Sequence, residues 1–295
     1  MRIEDVFSAP HTTHSQALPV SFEMFPPMGT LILEHAREVV EDLAPLSPSF
    51  ISVTYSAGGS GDSSKTIDIA HMIQSEYATT AMAHLTCAGQ NRADIERTLD
   101  AIKAAGIDNV LALRGDAFRA DQPSDFAFAK DLIPLAVEHG LCVGAAAYPE
   151  GHIECDSLEV SIAHLKEKQD AGASFFVTQL FFDNEYAFRF LDAARAQGIT
   201  VPIAFGVMPF LSKDQISRMV FMCGASLPAP IIKLLNKYAD DTASLQAAGI
   251  EYACKQLEGL AQAGVDGVHV YTMNKPHIAA AAMTALRDAG FEVGA

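Results

Sequence analysis

Residues 81–113, AMAHLTCAGQNRADIERTLDAIKAAGIDNVLAL, contain two short apolar runs separated by a segment with helical periodicity. The runs are residues 81–86 and 109–113. Between them, Ile95, Leu99 and Ile102 recur at intervals of four and three residues, which places them on one face of a helix. A strand, a helix and a second strand in this order predict parallel pairing through a right-handed crossover.

The same unit recurs along the whole chain. The apolar runs that we interpret as strands are residues 20–25, 50–55, 81–86, 109–113, 141–148, 174–181, 203–208 and 267–272. Eight such units in roughly 250 residues are typical of a closed barrel. No G-x-G-x-x-G follows the first strand, which disfavours an open Rossmann sheet. We therefore predict an α/β protein with a (β/α)8 TIM barrel in a single domain, residues 20–295, after a mobile N-terminal leader, residues 1–19.

Composition restricts the possible partners. The net charge of −16 and the pI near 4.9 disfavour nucleic acid and anionic membranes, because phosphate binding depends on clustered Lys and Arg. A polyanionic ligand must therefore be held locally. The five cysteines contain no C-x-x-C pair, which argues against a disulfide framework or a zinc site. Neither a signal peptide nor about 18 consecutive apolar residues is found, so we expect a cytoplasmic protein.

In a TIM barrel the reacting groups follow the carboxyl ends of the strands. The first strand supplies Glu23 within SFEMFPP, where Phe22, Phe25 and two prolines are expected to desolvate the carboxylate and raise its pKa toward that of a general acid. A buried, ion-paired glutamate is the alternative. The other strand ends supply amide, hydroxyl, aromatic and charged groups: Thr54, Tyr55, His84, Thr86, Arg114, Gly115, Asp116, Tyr148, His152, Gln179, Tyr271 and Asn274. This mixture suits a planar heteroaromatic ligand.

Several other chemistries are disfavoured. We expect no metal site, because no Cys/His cluster has zinc spacing, and no G-x-S-x-G elbow is present. Residues 59–66, GSGDSSKT, resemble a phosphate loop, but Ser64 replaces the glycine that must precede the lysine. Cys87 has no adjacent cation to activate it and is interpreted as a packing residue. A cofactor is therefore expected to carry the chemistry.

Seven motifs in order resemble the methylenetetrahydrofolate reductase family: SFEMFPP, SVTYSAG, HLTC, LALRGD, AAYPEGH, TQLFFD and VYTMN. The resemblance covers residues 20–275. It implies an FAD-containing barrel that oxidises NADH or NADPH and reduces 5,10-methylenetetrahydrofolate to 5-methyltetrahydrofolate. The two substrates would use one flavin face in turn, with ping-pong kinetics.

The resemblance also implies roles for individual residues. Glu23 matches the proton donor to folate N10, and Asp116 matches a carboxylate near both the flavin and the pterin. Gln179 matches an amide that meets folate or nicotinamide. The remaining positions correspond to flavin or nicotinamide contacts: Thr54, Tyr55, Ala57, His84, Arg114, Gly115, Ala129, Tyr148 and His152.

The sequence departs from the family pattern at several positions. Ser161 replaces an acidic residue and Glu167 adjoins Lys168, so Lys168, with Lys166 as a second candidate, is expected to hold the FAD pyrophosphate. Lys275 replaces an arginine and loses bidentate carboxylate binding to the folate glutamate. Gln215 matches a substrate-side position, whereas Met219 replaces an aromatic residue that would contact nicotinamide.

The sequence leaves the electron donor open. NADH, NADPH and a partner subunit that feeds electrons to the flavin are all compatible with it. A pterin-binding barrel that transfers a methyl group without redox chemistry is the alternative from another class. We also expect a homo-oligomer.

Overall fold

Eight parallel strands form a closed barrel in the computed structural model, which describes residues 1–7, 17–27, 32–55, 63–115 and 124–294. Each strand pairs with the next in the chain, and β8 pairs with β1. The strands are β1 Val20–Met24, β2 Phe50–Val53, β3 Ala81–Thr86, β4 Asn109–Leu113, β5 Cys142–Ala147, β6 Phe175–Thr178, β7 Ile203–Val207 and β8 Gly267–Tyr271. Every strand lies within a predicted run, and the predicted TIM barrel is confirmed.

The helices surround the barrel and alternate with its strands. They are α1 Ile3–Phe7, α2 Ile32–Leu43, α3 Ser64–Tyr77, α4 Arg92–Ala104, α5 Ala129–Glu138, α6 Leu158–Asp170, α7 Asn184–Ala196, α8 Lys213–Cys223, α9 Ala229–Lys237, α10 Thr242–Gln262 and α11 Pro276–Asp288. Helix α4 shows why they form: Asn91 caps it by accepting from the Asp94 amide at 2.9 Å, and the predicted face of Ile95, Leu99 and Ile102 is buried.

Helix α1 closes the amino-terminal end of the barrel. Ile3 is fully buried with Phe50, Met82 and Phe175. Its amide donates to Asn109 Oδ1 at 2.8 Å. The leader predicted for residues 1–19 was expected to be mobile; residues 3–7 instead form a packed helix, because buried Asn109 supplies the hydrogen bonds that so short a helix cannot supply itself.

The connection between β7 and β8 is the longest in the barrel and contains α8, α9 and α10. These helices form a second apolar cluster over the ends of β6 and β7, with Phe182, Phe210, Ile231 and Leu245 buried in it. Gly249 of α10 permits this packing, since a Cβ there would lie 1.8 Å from the Phe210 carbonyl oxygen. Within the described ranges, no helix is both long and apolar enough to span a membrane.

Candidate active site

Glu23 lies inside the barrel near its carboxyl end, between two histidines. Its Oε2 is 3.7 Å from His84 Nε2 and 3.7 Å from His269 Nε2. His269 is fully buried and His84 nearly so, whereas 19% of the Glu23 side chain is exposed. The carboxylate is therefore the part of this group that a ligand in the mouth can reach.

The neighbours of Glu23 differ from those that the sequence predicted. Phe22 was expected to desolvate the carboxylate, but alternation along β1 turns it outward, where it packs in the core between barrel and helices. Phe25 is 40% exposed. The environment of Glu23 is formed by imidazoles from β3 and β8, not by these phenylalanines.

His269 and Ser21 are site residues that the sequence analysis missed. Ser21 Oγ lies 2.7 Å from His269 Nδ1, and both residues are buried. The signal was present: His269 lies two residues before Tyr271 on β8 and therefore on the same strand face. His269 lies one layer deeper in the barrel than the strand-end residues, which is why a strand-end pattern does not include it.

The groups near Glu23 are strongly desolvated. Burial lowers the pKa of His84 to about 4, although the charge of Glu23 opposes the shift, so this imidazole is neutral at neutral pH. Its Nε2 is buried and has no hydrogen-bond partner. Burial also raises the pKa of Tyr271, whose hydroxyl donates to the Thr178 carbonyl at 2.7 Å. Gly206 makes room for this phenol, because a Cβ there would lie 2.6 Å from its ring.

A cavity of about 370 Å3 opens beside the mouth, between the ends of β4 and β5 and helices α5 and α6. Five predicted cofactor-binding residues line it: Arg114, Ala129, Tyr148, His152 and Lys168. These five residues therefore lie around one cavity, and their role in binding a cofactor stays a prediction.

Lys168 projects into this cavity from α6. Its ammonium group donates to the Ala146 carbonyl at 2.7 Å and lies 5.5 Å from the centre of the Tyr148 ring. Burial lowers its pKa to about 8. Among the described residues no carboxylate forms an ion pair with Lys168. A half-buried cation that has no counter-ion among the described residues, in a cavity of this size, fits a phosphate group of a nucleotide cofactor.

The rim of the cavity carries further polar groups. Arg114 makes a bidentate contact with Glu154 at 2.6 and 2.8 Å, and this contact raises the pKa of Arg114. His152 packs edge-on against Tyr148 with ring centres 4.6 Å apart. Its Nδ1 accepts from the Glu154 amide, and burial lowers its pKa. A neutral His152 therefore presents a flat, uncharged wall.

The departures from the family pattern have local compensations. Glu167 adjoins Lys168 in sequence but contacts Lys130 Nζ at 2.8 Å and His164 Nδ1 at 3.1 Å. Ser161 Oγ accepts from the His152 amide at 3.1 Å. The repulsion expected between Glu167 and a bound phosphate is thus reduced by its two basic neighbours.

Lys166, the second candidate for the pyrophosphate, does not line the cavity. It pairs with Asp170 along the same helix. Residues 166 and 168 point differently because a two-residue step on a helix turns the side chain by about 200°. Lys168 alone remains the candidate from α6.

The other predicted site residues that the structure describes follow the ends of their strands but do not line the cavity. Gly115 takes a left-handed conformation with φ of 86°, and a Cβ there would lie 3.0 Å from Thr86 Cβ. The Thr54 carbonyl accepts from Thr66 Oγ1, and Tyr55 is half-buried at the same end of β2.

Gln179 Oε1 accepts from the Leu180 amide at 2.9 Å. Asp116 and Ala57 lie outside the described residues, so their roles stay predictions.

Gln215 and Lys275 were predicted to bind substrate, and the structure places them differently. Gln215 is buried, accepts from the Leu211 amide at 2.6 Å and donates to the Pro209 carbonyl at 3.3 Å. Its amide therefore holds the loop after β7. Lys275 is exposed next to Asn274, whose side chain holds both backbone groups of Phe25 at 3.0 and 2.8 Å.

Met219 and Cys87 are two further residues that the sequence singled out. Met219 of α8 is half-buried against the second apolar cluster. Cys87 is fully buried, and its burial raises its pKa to about 11, which opposes thiolate formation and agrees with a packing role. Among the described residues, no group of three or more His, Cys, Asp or Glu is placed to hold a metal ion.

Comparison with known proteins supplies the family. A family model for methylenetetrahydrofolate reductase matches residues 10–287. The chain belongs to the methylenetetrahydrofolate reductase family. Its motifs, read from the sequence as a resemblance, lie within the matched range.

Bacterial relatives in this family are similar in length to the chain. The 5,10-methylenetetrahydrofolate reductase of Escherichia coli (strain K12) is 32% identical over 257 residues, which are 87% of this chain and 86% of the relative. The 5,10-methylenetetrahydrofolate reductase of Pectobacterium carotovorum is 33% identical over an alignment that covers 88% of this chain and 87% of the relative. Methylenetetrahydrofolate reductase 1 of Schizosaccharomyces pombe is 32% identical over 90% of this chain. The chain spans just under half the length of this yeast relative and of the plant relatives that it matches.

One solved structure of similar fold belongs to an uncharacterized protein from Clostridium thermocellum that binds two copies of 5-methyl-5,6,7,8-tetrahydrofolic acid. It superposes with a TM-score of 0.66 and 15% identity, over 92% of this chain and 94% of that chain. At this identity the likeness concerns the barrel fold alone.

Proposed function

We propose that this chain is an FAD-dependent 5,10-methylenetetrahydrofolate reductase that takes electrons from a reduced nicotinamide. One observation carries the proposal: a reachable carboxylate, Glu23, lies at the same end of the barrel as a cavity lined by Lys168, a half-buried ammonium group that forms no ion pair with a described residue. Family membership agrees with this chemistry.

Each group of the site has a proposed task. Lys168 would neutralise the pyrophosphate of FAD, while Tyr148, His152 and Ala129 would form the wall of its pocket. FAD supplies hydride transfer between nicotinamide and folate when it is bound. Glu23 would donate a proton to folate N10 and open the five-membered ring to an electrophilic iminium, and Asp116 would hold the pterin. This division of labour needs no protein nucleophile.

The two substrates would occupy the mouth in turn. Glu23 is needed only in the folate half-reaction, since hydride transfer from nicotinamide to flavin takes up no proton from an acid in the pocket. The proposed enzyme therefore has one half-reaction that depends on Glu23 and one that does not. Either half can be measured alone.

The direct test is an anaerobic visible spectrum of the purified protein with FAD, first alone, then with NADH, then with 5,10-methylenetetrahydrofolate. We expect a flavin band that NADH bleaches and the folate restores. A flavin that NADPH or dithionite bleaches but NADH does not would change the donor and retain the folate step. A protein that binds no FAD would overturn the proposal and favour a pterin-binding methyl-transfer barrel.

A further inference from the structure

The extended backbone of β1 continues one residue past Met24, where the strand ends. The Met24 carbonyl faces β2 and accepts from the Thr54 amide at 2.9 Å. The Glu23 carbonyl faces β8 and accepts from the Thr272 hydroxyl at 2.6 Å. Phe25 also faces the β8 side, because its amide and its carbonyl both bond to a side chain that follows β8. This alternation is that of an extended strand, so the strand geometry includes Phe25.

Asn274 is the residue that holds Phe25 in this position. Its Oδ1 accepts from the Phe25 amide at 3.0 Å, and its Nδ2 donates to the Phe25 carbonyl at 2.8 Å. One side-chain amide thus replaces the peptide group that a longer β8 would offer. The backbone of Asn274 is left-handed, with φ of 52°, a conformation that asparagine adopts more readily than most residues. Pro26 restricts Phe25 further, since a residue before proline favours extended backbone.

The side chain of Phe25 therefore lies on the inner face of the barrel. Side chains two residues apart on a strand share a face. Phe22 and Met24 pack in the core between barrel and helices, so Ser21, Glu23 and Phe25 face the barrel interior. These three side chains form successive layers toward the mouth: Ser21 is buried, the Glu23 side chain is 19% exposed and Phe25 is 40% exposed.

Phe25 is thus a large apolar side chain that the fold leaves partly in water at the mouth. It belongs to none of the three apolar clusters that the described residues form. Because Asn274 and Pro26 fix its backbone, the ring loses little conformational freedom when a ligand covers it. A flat ligand group stacked on it gains affinity at a ring separation of about 4.5–7 Å.

The folate of the proposed reaction carries an aromatic ring at the matching place. Folate N10, to which Glu23 would give a proton, is bonded directly to the aminobenzoyl ring, and the charged glutamate follows that ring. The glutamate carboxylates favour water, and the net charge of −16 does not attract them to the protein. The aminobenzoyl ring then lies on the solvent side of N10, just as Phe25 lies on the solvent side of Glu23, about 6.6 Å along the strand.

We propose that Phe25 stacks on the aminobenzoyl ring of the folate substrate and that Asn274 is a positioning residue that holds Phe25 for this contact. The inference rests on the proposed function and adds to it a residue that favours folates over pterins without this ring. The contact belongs to the folate half-reaction, because Glu23, which fixes the depth of N10 in the barrel, acts only there.

Phe25→Ala removes the ring and tests the contact. Reoxidation of reduced flavin is measured by rapid anaerobic mixing at increasing concentrations of 5,10-methylenetetrahydrofolate, which gives an apparent Kd and a limiting rate. The apparent Kd should rise about tenfold, whereas the limiting rate should stay within about threefold of wild type. Flavin reduction by NADH should keep its apparent Kd and its limiting rate within about twofold. Phe25→Tyr retains a ring and should bind the folate within about threefold of wild type.

Asn274→Gly tests the positioning role, because it removes the side-chain amide while glycine keeps the left-handed backbone without strain. The apparent Kd for the folate should rise about threefold in the wild-type background. In the Phe25→Ala background the same change should have no effect, since Asn274 acts through the Phe25 ring. A merely structural role would weaken folate binding equally in both backgrounds.

Val137→Ala is the matched control. Val137 is 41% exposed, nearly as Phe25 is, but it lies at the end of α5, shortly before β5 begins and hence at the opposite end of the barrel. Both half-reactions of this variant should match those of the wild type. A crystal structure with 5-methyltetrahydrofolate gives a direct view of the contact: the centre of the Phe25 ring should lie about 4.5–7 Å from that of the aminobenzoyl ring.

The possible outcomes separate the inference from the function on which it rests. If the wild type performs both half-reactions and Phe25→Ala keeps the wild-type Kd for the folate, the contact is wrong and the reductase stands. Equal weakening of NADH and folate, or a crystal structure in which Phe25 faces the pterin, would overturn the assignment to the aminobenzoyl ring. Additive effects of the Phe25 and Asn274 changes would overturn the positioning role. Failure of the wild type to reoxidise with folate would instead reject the proposed function.

Discussion

Glu23 and the two imidazoles nearest to it come from three strands of the barrel. Glu23 comes from β1, while the imidazoles that face its Oε2 come from β3 and β8. The carboxylate is reachable from the mouth and both imidazoles are buried. Of these groups, Glu23 is therefore the one suited to give a proton to a ligand.

Replacing Glu23 by Gln should separate the half-reactions. The amide keeps the size of the side chain but has no acidic proton, so the reoxidation of flavin by folate should slow by about 10²–10⁴-fold, the usual contribution of general acid catalysis. Reduction of flavin by NADH should stay within about threefold of wild type. Stopped-flow absorbance of the flavin measures both rates. Full folate reduction by Glu23→Gln would remove the acid role and favour a flavin subunit of another function.

Replacing Lys168 by Met should weaken FAD binding. The change removes the only lysine of α6 that lines the cavity and keeps an unbranched side chain of similar length. We expect the Kd for FAD to rise by about 10–100-fold, as for one buried charge-assisted contact. Fluorescence titration of the apoprotein gives the Kd. Lys166→Met, on the same helix but paired with Asp170, is the control and should bind FAD as wild type does.

The pKa of Lys168 also predicts a pH dependence of FAD binding. Phosphate favours the charged ammonium, and burial lowers the pKa of this group in the free protein to about 8. The Kd should therefore be constant below about pH 8 and rise with pH above it, by at most about tenfold per pH unit. Lys168→Arg keeps its charge throughout this range and should abolish the dependence. A wild-type Kd that stays constant to pH 10 would show that Lys168 does not contact the phosphates.

The sequence correctly placed together residues that follow strand ends. Tyr148 and His152 lie in the segment after β5, and Arg114 follows β4; all line the cavity, and their binding roles stay predictions. His269 was missed because it contacts Ser21 of another strand, which becomes its neighbour only when the barrel closes. Gln215 matched a family motif but bonds to its own loop, a contact that no linear pattern reveals.

At the scale of single elements, α1 is the part of the fold that the sequence did not predict. It has five residues, too few to be stable in isolation, and only Ile3 and Phe7 pack against the barrel. Its stability depends on Asn109, which lies more than 100 residues later and is fully buried beneath it. Local periodicity contains no information about such a contact.

Helix α1 should therefore contribute measurably to the stability of the barrel. Ile3→Ala removes a fully buried side chain from the barrel floor and should lower the free energy of unfolding by about 2–4 kcal/mol. Urea unfolding followed by circular dichroism measures the change. Ile153→Ala is the matched control: Ile153 is 63% exposed, so its loss should cost less than about 0.5 kcal/mol. Equal effects of the two changes would show that α1 is not part of the cooperative unit.

The long connection after β7 shows a second limit of element prediction. Helices α8, α9 and α10 replace the single helix of an ordinary barrel unit, and together they bury an apolar cluster of their own. The sequence indicated only that the chain, at 295 residues, is longer than the roughly 250 residues typical of a (β/α)8 barrel. The packing of α10 on the Phe210 backbone depends on Gly249, whose importance is visible only in three dimensions.

At the scale of the whole molecule, repetition made the fold predictable. A parallel barrel needs buried strands at intervals along the chain, each followed by an amphipathic helix. Each of the eight strands is followed by at least one helix, and each strand pairs with the next in the chain. Strand ends were predicted less well, because polar residues such as Thr54 continue an apolar run after the ladder stops. Although the net charge is −16, three basic side chains line the cavity, those of Arg114, Lys130 and Lys168.

The proposed reaction of this barrel is the conversion of 5,10-methylenetetrahydrofolate to 5-methyltetrahydrofolate with electrons from a nicotinamide. The decisive measurement is to incubate the FAD-loaded protein anaerobically with NADH and the folate and then to quantify both products by chromatography. We predict one 5-methyltetrahydrofolate for each NADH oxidised, formed about 10²–10⁴-fold more slowly with Glu23→Gln. Oxidation of NADH without formation of 5-methyltetrahydrofolate by the wild-type protein would contradict the proposed reaction.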